Sequence, residues 1–171
     1  MIKIIIITTL ILSVFSLLTL AFIDLKTRLL PNKFVGAFAT LGGIFHVASN
    51  FTFSSIGDVI AGGIAGSTLL YVVRYVANKH YERDALGLGD VKLMGAAGLW
   101  LGLEYIFLAI SLGALIGLLH GLVVYGHAKY MCKDTSIRLS TLSIPAGPGF
   151  IIGIVCVAIL KFSTLPALFI F

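Results

Sequence analysis

Leu86-Gly87-Leu88-Gly89-Asp90-Val91-Lys92-Leu93 joins two unlike kinds of sequence. Before it lies the most polar segment of the chain, Lys79-His80-Tyr81-Glu82-Arg83-Asp84, and after it an apolar run from Val91 to Leu103. Outward from this junction, in both directions, the chain is a series of apolar runs separated by short connections. Asp90 stands where one of these runs begins. A carboxylate at a membrane boundary is costly to keep there, so it needs a structural partner or a chemical use.

The 171 residues are 59% hydrophobic and 11% charged, with a mean hydropathy of +1.10. A soluble domain is nearer about 45–50% apolar and about 25% charged, so this is an integral membrane protein. Several runs reach the ~20 apolar residues that a helix needs to cross a bilayer. None alternates with the period of two expected of a membrane barrel strand. The expected class is therefore an all-α, polytopic membrane protein, one domain over residues 1–171. The net charge of +5 fits basic cytoplasmic loops better than nucleic-acid binding. Cys132 and Cys156 form no CxxC pair and suggest neither a zinc site nor a disulfide framework; no metal or cofactor is expected.

Six helices are expected. The first runs from Ile2 to Ile23; it is longer than a signal-peptide core and meets Asp24 without a small-residue cleavage site, so it reads as retained. Pro31 favours the opening of the next helix, about Asn32 to Ser49. The third covers about Ile56 to Asn78. The fourth, about Val91 to Leu103, is short for a crossing unless it begins a turn earlier. The chain turns around Glu104 into a fifth helix ending near Ala128, and the last runs from about Gly149 to the C-terminus, with Lys161 snorkelling. Gly62 and Gly66, Gly98 and Gly102, and Gly113, Gly117 and Gly121 are spaced for close helix packing in lipid.

Basic residues set the orientation. Lys26, Arg28 and Lys33 flank the first connection, Arg74, Lys79, Arg83 and Lys92 the third, and Lys129, Lys133 and Arg138 the fifth. The second and fourth carry none. The odd connections therefore belong in the cytoplasm and both termini outside. A re-entrant fourth helix would turn the Lys129 loop outward, against the same rule.

This topology brings Asp24, at the end of the first helix, to the same membrane face as Asp90, at the start of the fourth. Two carboxylates within a few ångströms resist double ionisation and can share a proton. One can then activate a water while its protonated partner hydrogen-bonds a scissile carbonyl, as an aspartic protease requires. Each acid also has a plainer reading. Asp24 can pair with Lys26 or Arg28, and Asp90 can cap the fourth helix. Asp58 and Glu104, at the opposite face, read as helix caps. His120 and His127, sharing roughly one helical face, read as packing or interfacial residues, and His46 and His80 carry no assigned role.

Gly87-Leu88-Gly89-Asp90-Val91-Lys92-Leu93, followed by Gly98-Leu99-Trp100-Leu101-Gly102, resembles the signature of the type IV prepilin peptidases, GxGD aspartic proteases of the bacterial inner membrane. Asp24 followed by Leu30-Pro31-Asn32 resembles that family's first catalytic segment. Ile144-Pro145-Ala146-Gly147-Pro148 resembles its late proline-glycine segment, with Ala146 where phenylalanine is more usual. The resemblance implies that Asp24 and Asp90 are the catalytic pair. It implies support or substrate-binding roles for Gly87, Gly89, Lys92, Pro31, Asn32, Pro145, Gly147 and Pro148. It further implies cleavage of short basic leaders from prepilin or pseudopilin precursors at the cytoplasmic face, in contact with membrane lipid. Glu82, Asp84 and Asp134 are candidates to attract such leaders. Larger members carry a cytoplasmic region with paired cysteines linked to N-methylation; here the corresponding place holds only the stretch from Asp24 to Lys33. The expectation is a short form with doubtful methyltransferase activity. Two other classes fit less well: a small proton-coupled transporter, whose acids belong near the midplane, and a non-catalytic assembly factor of a pilus or secretion system.

Overall fold

A computed structural model describes residues 2–82, 84–130 and 146–163. These residues form α1 (Ile2–Thr27), α2 (Asn32–Ala48), α3 (Ile56–Tyr81), α4 (Leu88–Tyr130) and α5 (Gly147–Phe162), with no strand among them. The helices are not amphipathic in the usual sense. Ile4, Ile7, Ile11, Phe15, Leu18 and Phe22 of α1 are all exposed, so apolar side chains cover the outside as well as the inside. Such a helix is stable only with hydrocarbon around it. Three helices are long and apolar enough to cross a bilayer: α1, α3 and the stretch Leu88–His127 of α4; α5 is a shorter apolar helix.

The last of those three is not a single rod. Gly102 has φ 72° and ψ −179°, a conformation essentially restricted to glycine, and the chain reverses there. Neighbours along α3 show the reversal. A Cβ on Gly62 would lie 2.5 Å from backbone atoms of both Gly98 and Gly102. One on Gly66 would meet Met94 O at 2.5 Å and Ile106 Cγ1 at 2.9 Å. Positions 94 and 106 are thus level with the same residue of α3. Residues 88–101 run antiparallel to α3, and residues 103–130 run back alongside it. The fourth helix begins at Leu88, a turn before Val91, and the turn expected around Glu104 falls at Gly102. Gly102 was expected only to pack; its backbone conformation is what demands glycine.

A reversal in an apolar setting leaves helix-end carbonyls and amides to be satisfied. Three side chains do this. Lys161 of α5 donates to Leu101 O (2.7 Å) and to Ser54 Oγ. His46 of α2 bonds Trp100 O through Nε2 at 3.1 Å. Asp58 of α3 accepts from the Leu103 amide at 2.9 Å, while Ser55 caps α3 through the Asp58 amide. Lys161 therefore does not snorkel; its ammonium is held by the turn. Asp58 does cap a helix end, and the end belongs to α4. Glu104 is exposed just past the turn, within electrostatic reach of Lys161.

Trp100 centres the packing between α2 and α4. It donates to Phe38 O at 2.8 Å, stacks on Phe38 at 5.6 Å and lies 5.2 Å from Phe45. Gly42 leaves room for the indole, since a Cβ there would come within 2.8 Å of it. Along α5, Gly149 and Gly153 meet Gly113 and its neighbours at 2.6–3.1 Å from an added Cβ. The glycine spacings expected to mediate packing do so at Gly62, Gly66, Gly98 and Gly113. Successive rods alternate in direction. One end of the bundle carries the connection of residues 28–31, the segment leading into α4 and the start of α5; the other carries residues 49–55 and the Gly102 turn.

Gly102→Ala should lower stability by about 1–3 kcal/mol from backbone strain alone, and more because its Cβ would strike the Asp58 carboxylate. Gly36→Ala, on an exposed helical position with nothing within 4 Å of the added Cβ, should be neutral or stabilising by up to about 1 kcal/mol. Thermal unfolding of the two variants in detergent checks the contrast.

Candidate active site

Asp24 lies in the last turn of α1 and Asp90 in the first turn of α4, at the same end of the bundle. Both are buried, with 4% and 7% of their surface exposed, although each belongs to a predominantly apolar helix. The two carboxyl groups are within electrostatic reach of each other and line one cavity of ≈ 290 Å³. Arg28, Arg74, Asp84, Ala85, Leu86, Gly87, Leu88 and Ala146 complete its wall.

Helix termini hold each acid in place. The start of α5 packs against Asp24: a Cβ on Gly147 would lie 2.5 Å from Asp24 Oδ2, and the Gly147 backbone acts electrostatically on that carboxyl. A carboxylate is unfavourable at the C-terminal end of its own helix, and the N-terminal end of α5 offsets that by roughly 0.3–1 kcal/mol or more when partly buried. Gly87 lies against Asp90, since a Cβ there would be 3.1 Å from Asp90 Oδ2. Gly87 immediately precedes Leu88, so Asp90 is placed as the third residue of a capping box is, with its carboxyl near the cap position. The pairing of Asp24 with Lys26 or Arg28 does not form among the described residues; Lys26 sits over the Phe22 ring at 4.3 Å instead.

Asp24 Oδ2 and Asp90 Oδ1 are buried and have no hydrogen-bond partner among the described residues. An unsatisfied buried carboxylate oxygen is strongly disfavoured unless it is protonated, hydrated or close to a proton donor. Two such oxygens on one cavity are suited to sharing a proton and to holding a water between them. The volume admits several waters at about 30 Å³ each.

The other expected site residues fall into two groups. Gly87 and Gly147 touch the acids as described. Gly89 lets Leu30 pack closely, since a Cβ there would lie 2.8 Å from Leu30 Cβ. Lys92 Nζ donates to Asn32 Oδ1 at 3.0 Å, tying the start of α4 to the start of α2. Pro31 is the residue before α2, in extended conformation, and Pro148 lies in the first turn of α5; both shape helix starts rather than the cavity wall. Pro145, with Lys133, Asp134 and Arg138, lies outside the described residues. Asp84 is not a free acidic lure for a basic leader, because Arg74 pairs with it at 2.9 Å.

Arg28 and Arg74 were not expected in the wall. Arg28 has φ 56° just past the end of α1, which turns the chain across the cavity mouth. Arg74 carried its own signal, since an arginine within an apolar run generally faces a polar interior. Among the described residues no three His, Cys, Asp or Glu side chains gather as metal ligands. His120 and His127 are both exposed. A larger apolar groove of ≈ 330 Å³, lined by Leu17, Trp100, Ile154 and Phe162, holds no titratable side chain and lies apart from the acids.

Known proteins are similar to this chain in sequence. Prepilin leader peptidase/N-methyltransferase of Pectobacterium carotovorum subsp. carotovorum is 35% identical over 124 residues, covering 72% of this chain and 43% of the relative. The protein of that name from Aeromonas hydrophila is 31% identical over 106 residues, 62% of this chain and 36% of its own length. That from Escherichia coli (strain K12) is 36% identical over 101 residues, 57% and 44% respectively. The chain thus spans less than half the length of these curated relatives. No solved structure matches it. The model of the type IV leader peptidase family matches residues 10–122, a span that takes in both buried aspartates and the glycine-framed loop between them, and the chain belongs to that family.

Proposed function

We propose that the chain is a membrane-embedded aspartic endopeptidase that removes the leader from type IV prepilins or pseudopilins, with Asp24 and Asp90 as its catalytic pair. The observation that carries this reading is the meeting of two buried carboxylates, from helices far apart in sequence, on one cavity at one end of the bundle. The names of the relatives supply the substrate class.

In the proposed reaction the ionised carboxylate takes a proton from a water held between the acids, and the water oxygen attacks the scissile carbonyl carbon. The protonated partner hydrogen-bonds the carbonyl oxygen and transfers its proton there, giving a neutral gem-diol. The peptide nitrogen then takes a proton from the acid that received one, a gem-diol hydroxyl returns its proton to the other carboxylate as the C–N bond breaks, and the pair again holds a single shared proton. Gly87 and Gly147 leave the approach to the acids clear of side chains.

The same reading has six crossings in a bacterial inner membrane. The rods of residues 88–101, α2 and α5 are short for a ~30 Å hydrocarbon core, which local thinning of the bilayer or flanking snorkelling residues accommodate. Lys26, Arg28, Lys33, Arg74, Lys79 and Lys92 gather at the end that holds the acids, which favours the cytoplasm for that end. The opposite end, with the start of α1 and the end of α5, is then outside. A proton-coupled transporter is less well supported, because Asp24 and Asp90 sit in terminal turns rather than at mid-helix.

Asp24→Asn and Asp90→Asn should each reduce cleavage of a type IV prepilin by roughly 10²–10⁴-fold, with insertion and thermal midpoint preserved. Normal processing by either variant overturns the pair. In a background lacking Cys132 and Cys156, Ala85→Cys in intact cells should resist a membrane-impermeant thiol reagent, and Thr52→Cys should react with it. The reverse pattern overturns the orientation.

A further inference from the structure

The segment of residues 84–86 between α3 and α4 has no helical bonds of its own, yet it forms one wall of the cavity. Four hydrogen bonds from the last turns of α3 hold it. Arg74 Nε donates to Leu86 O at 2.8 Å, and Arg74 Nη2 donates to Asp84 Oδ1 at 2.9 Å. Asn78 Nδ2 donates to the same Asp84 oxygen at 2.9 Å, and Asn78 Oδ1 accepts from the Ala85 amide at 2.8 Å. Three consecutive residues are thus fixed by two side chains one turn apart on α3.

An isolated surface ion pair contributes little, and Asp84 is 81% exposed. The arrangement differs from such a pair in its geometry. The guanidinium spans two points of the segment, a use of its planar fork that lysine cannot copy. The next residue is Gly87, which packs against the Asp90 carboxyl: a Cβ there would lie 3.1 Å from Oδ2. Gly87 and Gly89 give this stretch unusual backbone freedom, so the direction of the Asp90 carboxyl depends on what anchors the chain just before it.

We infer that Arg74 and Asn78 are positioning residues: by clasping residues 84–86 against α3, they place Gly87 against the Asp90 carboxyl and so aim Asp90 at Asp24. This rests on the proteolytic reading for its kinetic consequence, while the clasp itself is independent of it. A displacement of about 1 Å at a reacting group can cost on the order of 10²-fold in rate. The effect falls on the chemical step rather than on binding of the precursor.

The test uses the full chain in proteoliposomes with a purified type IV prepilin. Arg74→Met and Asn78→Ala should lower kcat by roughly 10- to 100-fold at unchanged KM and unchanged thermal midpoint. Arg74→Lys, with one donor centre for two acceptors, should fall between Arg74→Met and the wild type. Asp84→Asn, which keeps an oxygen for both donors, should restore most of the kcat that Asp84→Ala loses. Wild-type kcat in Arg74→Met and Asn78→Ala overturns the inference, as does a loss that merely follows loss of folded protein. Hydrogen exchange at the Ala85 amide should speed up in Arg74→Met, and unchanged protection overturns the clasp whatever the cleavage assay gives. If the wild type itself fails to cleave, the proteolytic reading falls and the exchange measurement still decides the clasp.

Discussion

Reversal of a helix inside an apolar medium is the constraint around which this fold is arranged. At Gly102 the backbone leaves the helical region, and the carbonyls of Trp100 and Leu101 and the amide of Leu103 lose their ordinary partners. Trp100 and Leu101 are buried in the bundle, where an unpaired backbone group costs free energy comparable to a lost hydrogen bond. The groups are met instead by His46 from α2, Lys161 from α5 and Asp58 from α3. One turn thereby ties together the ends of three other helices.

Close approach along the rods follows from the same medium. Lipid gives helices no hydrophobic reason to associate, so contact area and backbone proximity must supply the attraction. Gly62 and Gly66 let both limbs of α4 press against α3, and Gly113, Gly149 and Gly153 do the same between α4 and α5. The consequence reaches the far end of the bundle. With α3, α4 and α5 drawn together there, the starts of α4 and α5 converge on the last turn of α1. Asp90 is carried in by α4, and Gly147 is carried to Asp24 by α5. Each acid thus meets the positive end of a helix, which permits a carboxylate to be buried at all.

Much of this was legible in the residues. Low charge and long apolar runs required a helical membrane protein, and the basic residues of the odd connections already grouped Asp24 with Asp90. The short fourth helix was expected from about Val91, or a turn earlier if it were to cross, and it starts at Leu88. Lys161 was misjudged because a lysine near a helix end is normally free to reach water; nothing local to it reveals that Leu101 O lies within 2.7 Å. Gly102 was read as one more small packing residue because glycine spacing looks the same whether the backbone is helical or reversed. Arg74 was counted as a loop charge, although its place within an apolar run marked it as inward-facing.

Sequence by itself determined the all-helical class of fold and pointed to Asp24 and Asp90, which the structure brings to one end of the bundle. It could do so because periodicity, length and charge are local properties, and hydrocarbon tolerates few alternatives to a helix. Only the tertiary structure decided that these acids line a common cavity, that Asp24 Oδ2 and Asp90 Oδ1 are buried there without a partner among the described residues, and that Arg74 and Asn78 grip the segment leading to it. Those are contacts between residues distant along the chain. Their geometry depends on how closely glycine seams allow the helices to pack, which no single stretch of sequence records.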